Sequence, residues 1–331
     1  MLLMVTNRSG TKGRYGDDAK PNHKYDYLYN YNNKSINEDG FDSVGKKGFE
    51  VQLMQELERL RTEEGIAHPK VGFYIHGFNN TYRESIDEIY DLEAKLKVRF
   101  GYAPVIVGFS WPSAGSLYTY LSDREKSRDS VGAFTRILLD LNALVDRNQH
   151  DCFSSVFCFA HSMGVYTLRK GMEYLSDYLG APQGRKLFDE TVLLGGDISA
   201  KNIQIGGKAE YITNFSRRVH VYYSKHDTVL RAASIKRFGS PRLGRHGALD
   251  YTNLPNNVVL VDARKYANKE AMEGYKERSG EQVSIHSSYR YHDVILDDLS
   301  QVLQSVDRDE VTNRDVIELE GKNLGNHYRL L

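Results

Sequence analysis

CFAHSMGVYTL, residues 158–168, sets His161, Ser162 and Met163 between two of the smallest side chains, Ala160 and Gly164. A plain turn from strand to helix is served by Gly, Asn, Asp or Pro, and gains nothing from a Ser with small residues at both second neighbours. A nucleophile elbow does gain. There the Ser is held in a strained backbone conformation at a strand end, and the backbones pack so closely that the residues two before and two after must be small. The bare pattern recurs by chance, so the flanks decide. SVFCFA (155–160) ahead of it reads as a buried strand, and MGVYTLRKGMEYL behind it continues as a helix.

Working outward, further short apolar runs read as strands buried on both faces: VGFYI (71–75), VIVGFSW (105–111), TVLLGG (191–196), VHVYYS (219–224) and NVVLVDA (257–263). Amphipathic segments separate them. Phe49, Leu53, Leu57 and Leu60 share one helical face, as do Phe134, Ile137, Leu138, Leu141 and Leu144. Thr81 and Glu84 form a capping box ahead of Ile86, Ile89 and Leu96, and a last helix runs from Asp293 through Ile295, Leu299 and Val302. This alternation predicts an α/β fold, a mostly parallel central sheet flanked by helices on both faces. Residues 1–304 are expected as one domain, with 8–46 a polar excursion holding at most one short strand and 305–331 a charged, weakly patterned extension.

Composition narrows the partners. Lys plus Arg and Asp plus Glu are both 44 among 331 residues, so no overall field draws the chain to nucleic acid or an anionic membrane. No run approaches the roughly 18 apolar residues of a membrane span. The opening MLLMVTNRSG lacks the marks of a signal peptide, and Cys152 and Cys158, six positions apart along an extended segment, are too distant to pair. A cytoplasmic location is expected. HExxH, paired CxxC and glycine-rich phosphate-loop patterns do not occur, which leaves metalloprotease, zinc-module and nucleotide-binding readings without support.

A nucleophilic Ser needs amide donors for the oxyanion, a base and an acid. FYIHGFNN (73–80) ends a strand in His76-Gly77, so the amide of Phe78 is expected to act with that of Met163; the plainer reading is a tight turn at Gly77. The acid is Asp227, in the loop after VHVYYS, or Asp197, after TVLLGG. The base is His286, in the polar stretch before the last helix, or His292, beside the expected cap of that helix. His76, Asn79, Trp111, Ser113 and His161 are pocket candidates, with Trp111 equally readable as core. Lys236, Arg237, Arg242 and Arg245 form a basic cluster that reads as a solvated loop, or else as a greeting for an anionic substrate.

MVTNR, YIHGFNN, GFSWPSAGSLYTYLSDREKS, FAHSMG, YYSKHDTVLRAAS, SPRLG and HSSYRYHDVILDDL occur in that order along the chain. In these pieces it resembles the α/β-hydrolase superfamily, and within it the bacterial branch catalogued as DUF900. The resemblance implies a sheet of about eight strands, a Ser-Asp-His triad of Ser162, Asp227 and a His near 286, and neither metal nor organic cofactor. His286 stands twelve positions ahead of Asp298, as the family's His does ahead of an Asp-Leu pair. Ala160 replaces the usual Gly of the elbow, and LLGGDIS replaces an Ala-Pro-Asp strand end. The function expected is hydrolysis of an ester or related acyl bond in a small-molecule substrate through an acyl-enzyme. The alternatives are a thioesterase, amidase or peptidase on the same machinery, or a degenerate fold serving as a binding module.

Overall fold

The computed structural model describes residues 1–30, 37–113, 120–148, 155–180, 186–236 and 239–331, with 120–123 and 179 described by their backbone alone. Cys152, Arg237 and residues 114–119 of the Ser-Trp-Pro-Ser motif lie outside the described residues. Two compact units divide the chain, Met1–Phe159 with Lys170–Gly180, and Ala160–Arg169 with Ala181–Leu331.

In the first unit the strands are β1 (Leu2–Thr6), β2 (Arg8–Thr11), β3 (Arg14–Ala19), β4 (Asp26–Asn30), β5 (Asp42–Ser43), β6 (Val71–Ile75), β7 (Val105–Ser110) and the first part of β8 (Val156–His161). The helices α1 (Gly45–Thr62), α2 (Tyr82–Phe100) and α3 (Tyr120–Arg147) fall between them. The strand order is β8-β6-β7-β1-β4-β5, with β6, β7 and β1 parallel and β4 and β5 antiparallel. Every residue of β6 and β7 is buried, which is why both read as unbroken apolar runs. Phe49, Leu53, Leu57 and Leu60 are the buried residues of α1. Thr81 and Glu84 close a capping box at the start of α2. Phe134 of α3 packs on Phe73 and Phe109, with ring centroids 5.9 and 5.0 Å apart.

The 8–46 stretch is more ordered than its composition suggests, and the expectation of at most one short strand is corrected. Its described residues carry four strands: β2 and β3 pair as a separate antiparallel ribbon, while β4 runs against β1 and β5 against β4. Ribbon residues are mostly exposed, so backbone pairing holds them with little apolar patterning to announce it. In β4, Tyr27 and Leu28 are buried but lie among Asp, Tyr and Asn.

The second unit holds β9 (Phe188–Leu194), β10 (Ser216–Tyr223), β11 (Val258–Asp262), β12 (Arg314–Leu319) and β13 (Lys322–Leu330), ordered β12-β13-β11-β10-β9. Its helices are the opening turns of α4 (Gly164–Leu179), then α5 (Glu210–Phe215), α6 (Thr228–Lys236), α7 (Leu243–His246) and α8 (Asp293–Leu303). The tail expected as a weakly patterned extension is instead a β12–β13 hairpin, and β13 runs parallel to β11. Its outer strand β12 carries Arg314, Asp315 and Glu318, charges that discourage an edge strand from pairing with other chains. Among the described residues there are eleven strands beside the β2–β3 ribbon, where about eight were expected. The fold is α/β and its strands are mostly parallel.

The register fixes where chemistry can occur. Leu194 lies opposite Tyr222 and Tyr223 opposite Asp262, so β9, β10 and β11 end level with one another. The loops leaving those carboxyl ends carry Asp197, Asp227 and His286, at the edge where open α/β sheets bind ligands.

Candidate active site

Ser162 follows β8 directly and adopts φ +54, in the left-handed region that a side chain other than Gly occupies only under strain. The end of β9 holds it there. The Ser162 amide donates to the Leu194 carbonyl at 2.9 Å, and its own carbonyl accepts from the amides of Asp197 at 2.9 Å and Val165 at 3.2 Å. Gly164 then opens α4, so strand, turn and helix stand as the motif requires. Ser162 is 4% exposed, and Met163 after it is fully buried.

The Asp227 carboxylate is wholly buried and spends each oxygen separately. Oδ1 accepts from the Leu230 amide in the first turn of α6 at 2.9 Å, and Oδ2 accepts from His286 Nδ1 at 2.6 Å. His286 lies in the 3-10 turn Ile285–Arg290 ahead of α8. Its Nε2 is buried with no hydrogen-bond partner among the described residues. Burial alone would depress this imidazole; the charge and hydrogen bond of Asp227 and the charge of Asp197 outweigh it, so the group is held above its ordinary value while Arg290 pulls the other way. His161 flanks it, donating from Nε2 to the His286 carbonyl at 3.0 Å, with ring centroids 4.8 Å apart.

Asp197 and His292 have other partners. Asp197 faces Arg242, with Oδ1 3.3 Å from Nε and both side chains 2% exposed. His292 caps α8, its Nδ1 accepting from the Val294 amide at 3.3 Å, and its ring sits between those of Tyr266 and Tyr275. Burial lowers the pKa of that imidazole, against the charges of Asp293 and Asp297. Gly195, between Leu194 and Asp197, adopts φ +52, and a side chain there would stand 3.0 Å from the Tyr289 ring and 3.4 Å from that of His286. The positive φ and the close Tyr289 and His286 rings suit glycine at 195, whereas Gly196 meets the Val165 side chain instead.

The solvated reading of the basic cluster is corrected for Arg242 and Arg245, while Lys236 is exposed. Arg242 is buried against Asp197, and Arg245 donates from Nη1 to the Asp227 carbonyl at 2.8 Å. The turn 241–246 also ties the strand ends by backbone bonds: Leu243 to Ile198 at 2.8 Å, Gly244 to Gly196 at 2.9 Å, and Ser224 to Gly244 at 3.0 Å. A Cβ on Gly244 would fall 2.1 Å from the carbonyl carbon of Gly195 and 2.3 Å from the amide of Gly196. Neither backbone atom can rotate away as a side chain could. Gly244→Ala is therefore expected to cost about 1–3 kcal/mol, measured as a lower urea midpoint; an unchanged midpoint would show that the turn does not abut the strand end.

In the first unit, the loop after β6 is organised by rings. Trp111 donates from its backbone amide to His76 Nε2 at 3.1 Å and from its indole Nε1 to the His76 carbonyl at 3.0 Å, while His76 Nδ1 donates to the Gly77 carbonyl at 2.7 Å. The two rings stack 3° from parallel with centroids 5.2 Å apart. Trp111 is fully buried with both N–H groups spent on His76. Phe78 is half-buried, Asn79 is exposed at φ +60, and buried Ser113 bridges Asn80. Sequence reasoning missed Arg8, which donates to the Asn80 carbonyl at 2.6 Å and to Ser110 Oγ at 2.9 Å from full burial. Burial pushes its pKa down to about 10, against the charge of Asp17. An Arg in a polar stretch carries no signal of this, since the residue type is usually solvated.

The family described as "Alpha/beta hydrolase of unknown function (DUF900)" matches residues 53–283. The chain belongs to this family. The DUF900 match takes in Ser162, Asp197 and Asp227 and stops three residues short of His286. An uncharacterized protein of Nostoc sp. (strain PCC 7120 / SAG 25.82 / UTEX 2576), alr1448, is 26% identical over 159 residues, 40% of each chain. The chain thus spans about two-fifths of the length of that relative. Among the described residues no cluster of His, Cys, Asp and Glu could hold a metal ion, and no helix is long and apolar enough to cross a membrane.

Proposed function

We propose that this DUF900 protein is a serine hydrolase that cleaves an ester or related acyl bond of a small molecule. The observation that carries the reading is the 2.6 Å hydrogen bond from His286 Nδ1 to Asp227, in the same unit as the strained Ser162. With the Nδ1 proton given to Asp227, the lone pair of the imidazole is at Nε2. Nε2 takes the proton of Ser162 Oγ as the oxygen attacks the carbonyl carbon, and the imidazolium is stabilised by Asp227. The amide of Met163 serves as a donor to the oxyanion, and His286 returns its proton to the leaving group. Water, deprotonated by the same Nε2, then releases the acyl group from Ser162.

Supporting this are the strained φ of Ser162, its anchoring by Leu194 and Asp197, and the buried carboxylate behind the imidazole. A fluorophosphonate probe tests it. The expected result is a single covalent adduct on Ser162 by peptide mass spectrometry, with loss of p-nitrophenyl acetate hydrolysis in proportion to labelling. A well-folded protein that takes no label would be a binding module on a hydrolase fold, and the reading would fall.

A further inference from the structure

Asp197 is left over by that mechanism, yet it is built into the site. Its amide holds the Ser162 carbonyl, its side chain is 2% exposed, and it stands two residues beyond Gly195, whose backbone closes on the His286 ring. The guanidinium of Arg242, 3.3 Å from its Oδ1, is itself 2% exposed and comes from the turn that also ties down Asp227 through Arg245. A buried carboxylate beside a base changes the energy of the charged imidazole, and a buried guanidinium beside that carboxylate changes it the opposite way.

We propose that the Asp197–Arg242 pair is a positioning device for His286, in which Asp197 supports the imidazolium alongside Asp227 and Arg242 limits that support. The proposal rests on His286 being the base. The groups placed on the elements about the ring are His161 at the end of β8, Asp197 after β9, Asp227 in the loop after β10, Arg242 and Arg245 in the α7 turn, the first paired with Asp197 and the second with the Asp227 carbonyl, and Arg290 and Tyr289 in its own turn. Of these, Asp197 acts on the imidazole in the same sense as Asp227, and Arg290 in the opposite sense. The pair thus sets how far the base is strengthened without touching the proton it transfers.

The test is a set of signed shifts. In the full-length protein the titration midpoint of the His286 ring is followed by NMR, and the acidic limb of kcat/KM for p-nitrophenyl acetate is followed in parallel. Asp197→Asn removes a negative charge and leaves Arg242, so the midpoint should fall by about half a pH unit or more. Arg242→Gln removes the positive charge and leaves Asp197, so it should rise by a similar amount. The double variant should return close to the parent, and Arg242→Lys, which keeps the charge, should not reproduce the Arg242→Gln shift. Each single variant carries its own sign, so failure of one to fold leaves the other as the test. A purely structural pair would give shifts of the same sign or none, and either result overturns the proposal. If the parent protein takes no fluorophosphonate label, the hydrolase reading falls, while the NMR midpoints still decide whether the pair controls His286.

Discussion

Ser162→Ala is expected to remove nearly all ester hydrolysis, by on the order of a thousandfold or more, while leaving the fold and its urea midpoint close to the parent. The two halves of that expectation have separate grounds. Chemically, among the described residues of the second unit no other hydroxyl stands at positive φ directly after a strand, so nothing replaces the lost oxygen. Structurally, what fixes residue 162 is its backbone, through bonds to Leu194, Asp197 and Val165, and Ala keeps all three. Its φ of +54 is no worse for Ala than for Ser, because both carry a Cβ. Circular dichroism and initial rates on the same sample separate the outcomes. Activity within tenfold of the parent, in a folded variant, would remove Ser162 from the mechanism.

The sequence made parts of this architecture legible and concealed others, and the difference is physical. Strands β6 to β11 announced themselves because strands covered on both faces have no room for charge, and α1, α2 and α3 because each buries one stripe of apolar side chains. Outer strands follow other rules. The β2–β3 ribbon and the β12–β13 hairpin intersperse charged and polar residues with scattered apolar ones, held by backbone pairing that leaves little trace in hydropathy.

Within the site, Ser162, Asp227 and His286 could be singled out because each falls at a strand end or loop where its type has a chemical use. Arg8, Arg242 and Arg245 could not, since what decides an Arg is the partner it meets in space. Arg242 meets Asp197 and Arg245 meets the Asp227 carbonyl, both from distant positions in sequence. The basic cluster therefore read as solvent-facing, although two of its members brace the strand ends that carry the acids.

The two carboxylates at those strand ends separate under the same substitution. Asp227→Asn keeps an oxygen for the Leu230 amide, so the first turn of α6 retains its cap. The other arm becomes an NH₂ group facing His286 Nδ1, where two donors cannot meet at 2.6 Å. The ring resolves the conflict by moving its proton to Nε2, so that Nδ1 accepts. Nε2 then carries a hydrogen and cannot take one from Ser162, and turnover is expected to fall by roughly ten-thousandfold in a protein of nearly unchanged stability. Asp197→Asn makes no such conflict, because its side chain faces Arg242 rather than the Nδ1 proton, so the His286 tautomer survives. Its loss is expected to stay within about tenfold, the equivalent of one pKa unit of imidazolium support. Steady-state kcat and the rate of fluorophosphonate labelling should rank the two variants alike, Asp227→Asn far below Asp197→Asn. The reverse ranking would mean that the orienting carboxylate sits at the end of β9, and that the 2.6 Å bond to Asp227 is not the one the reaction uses.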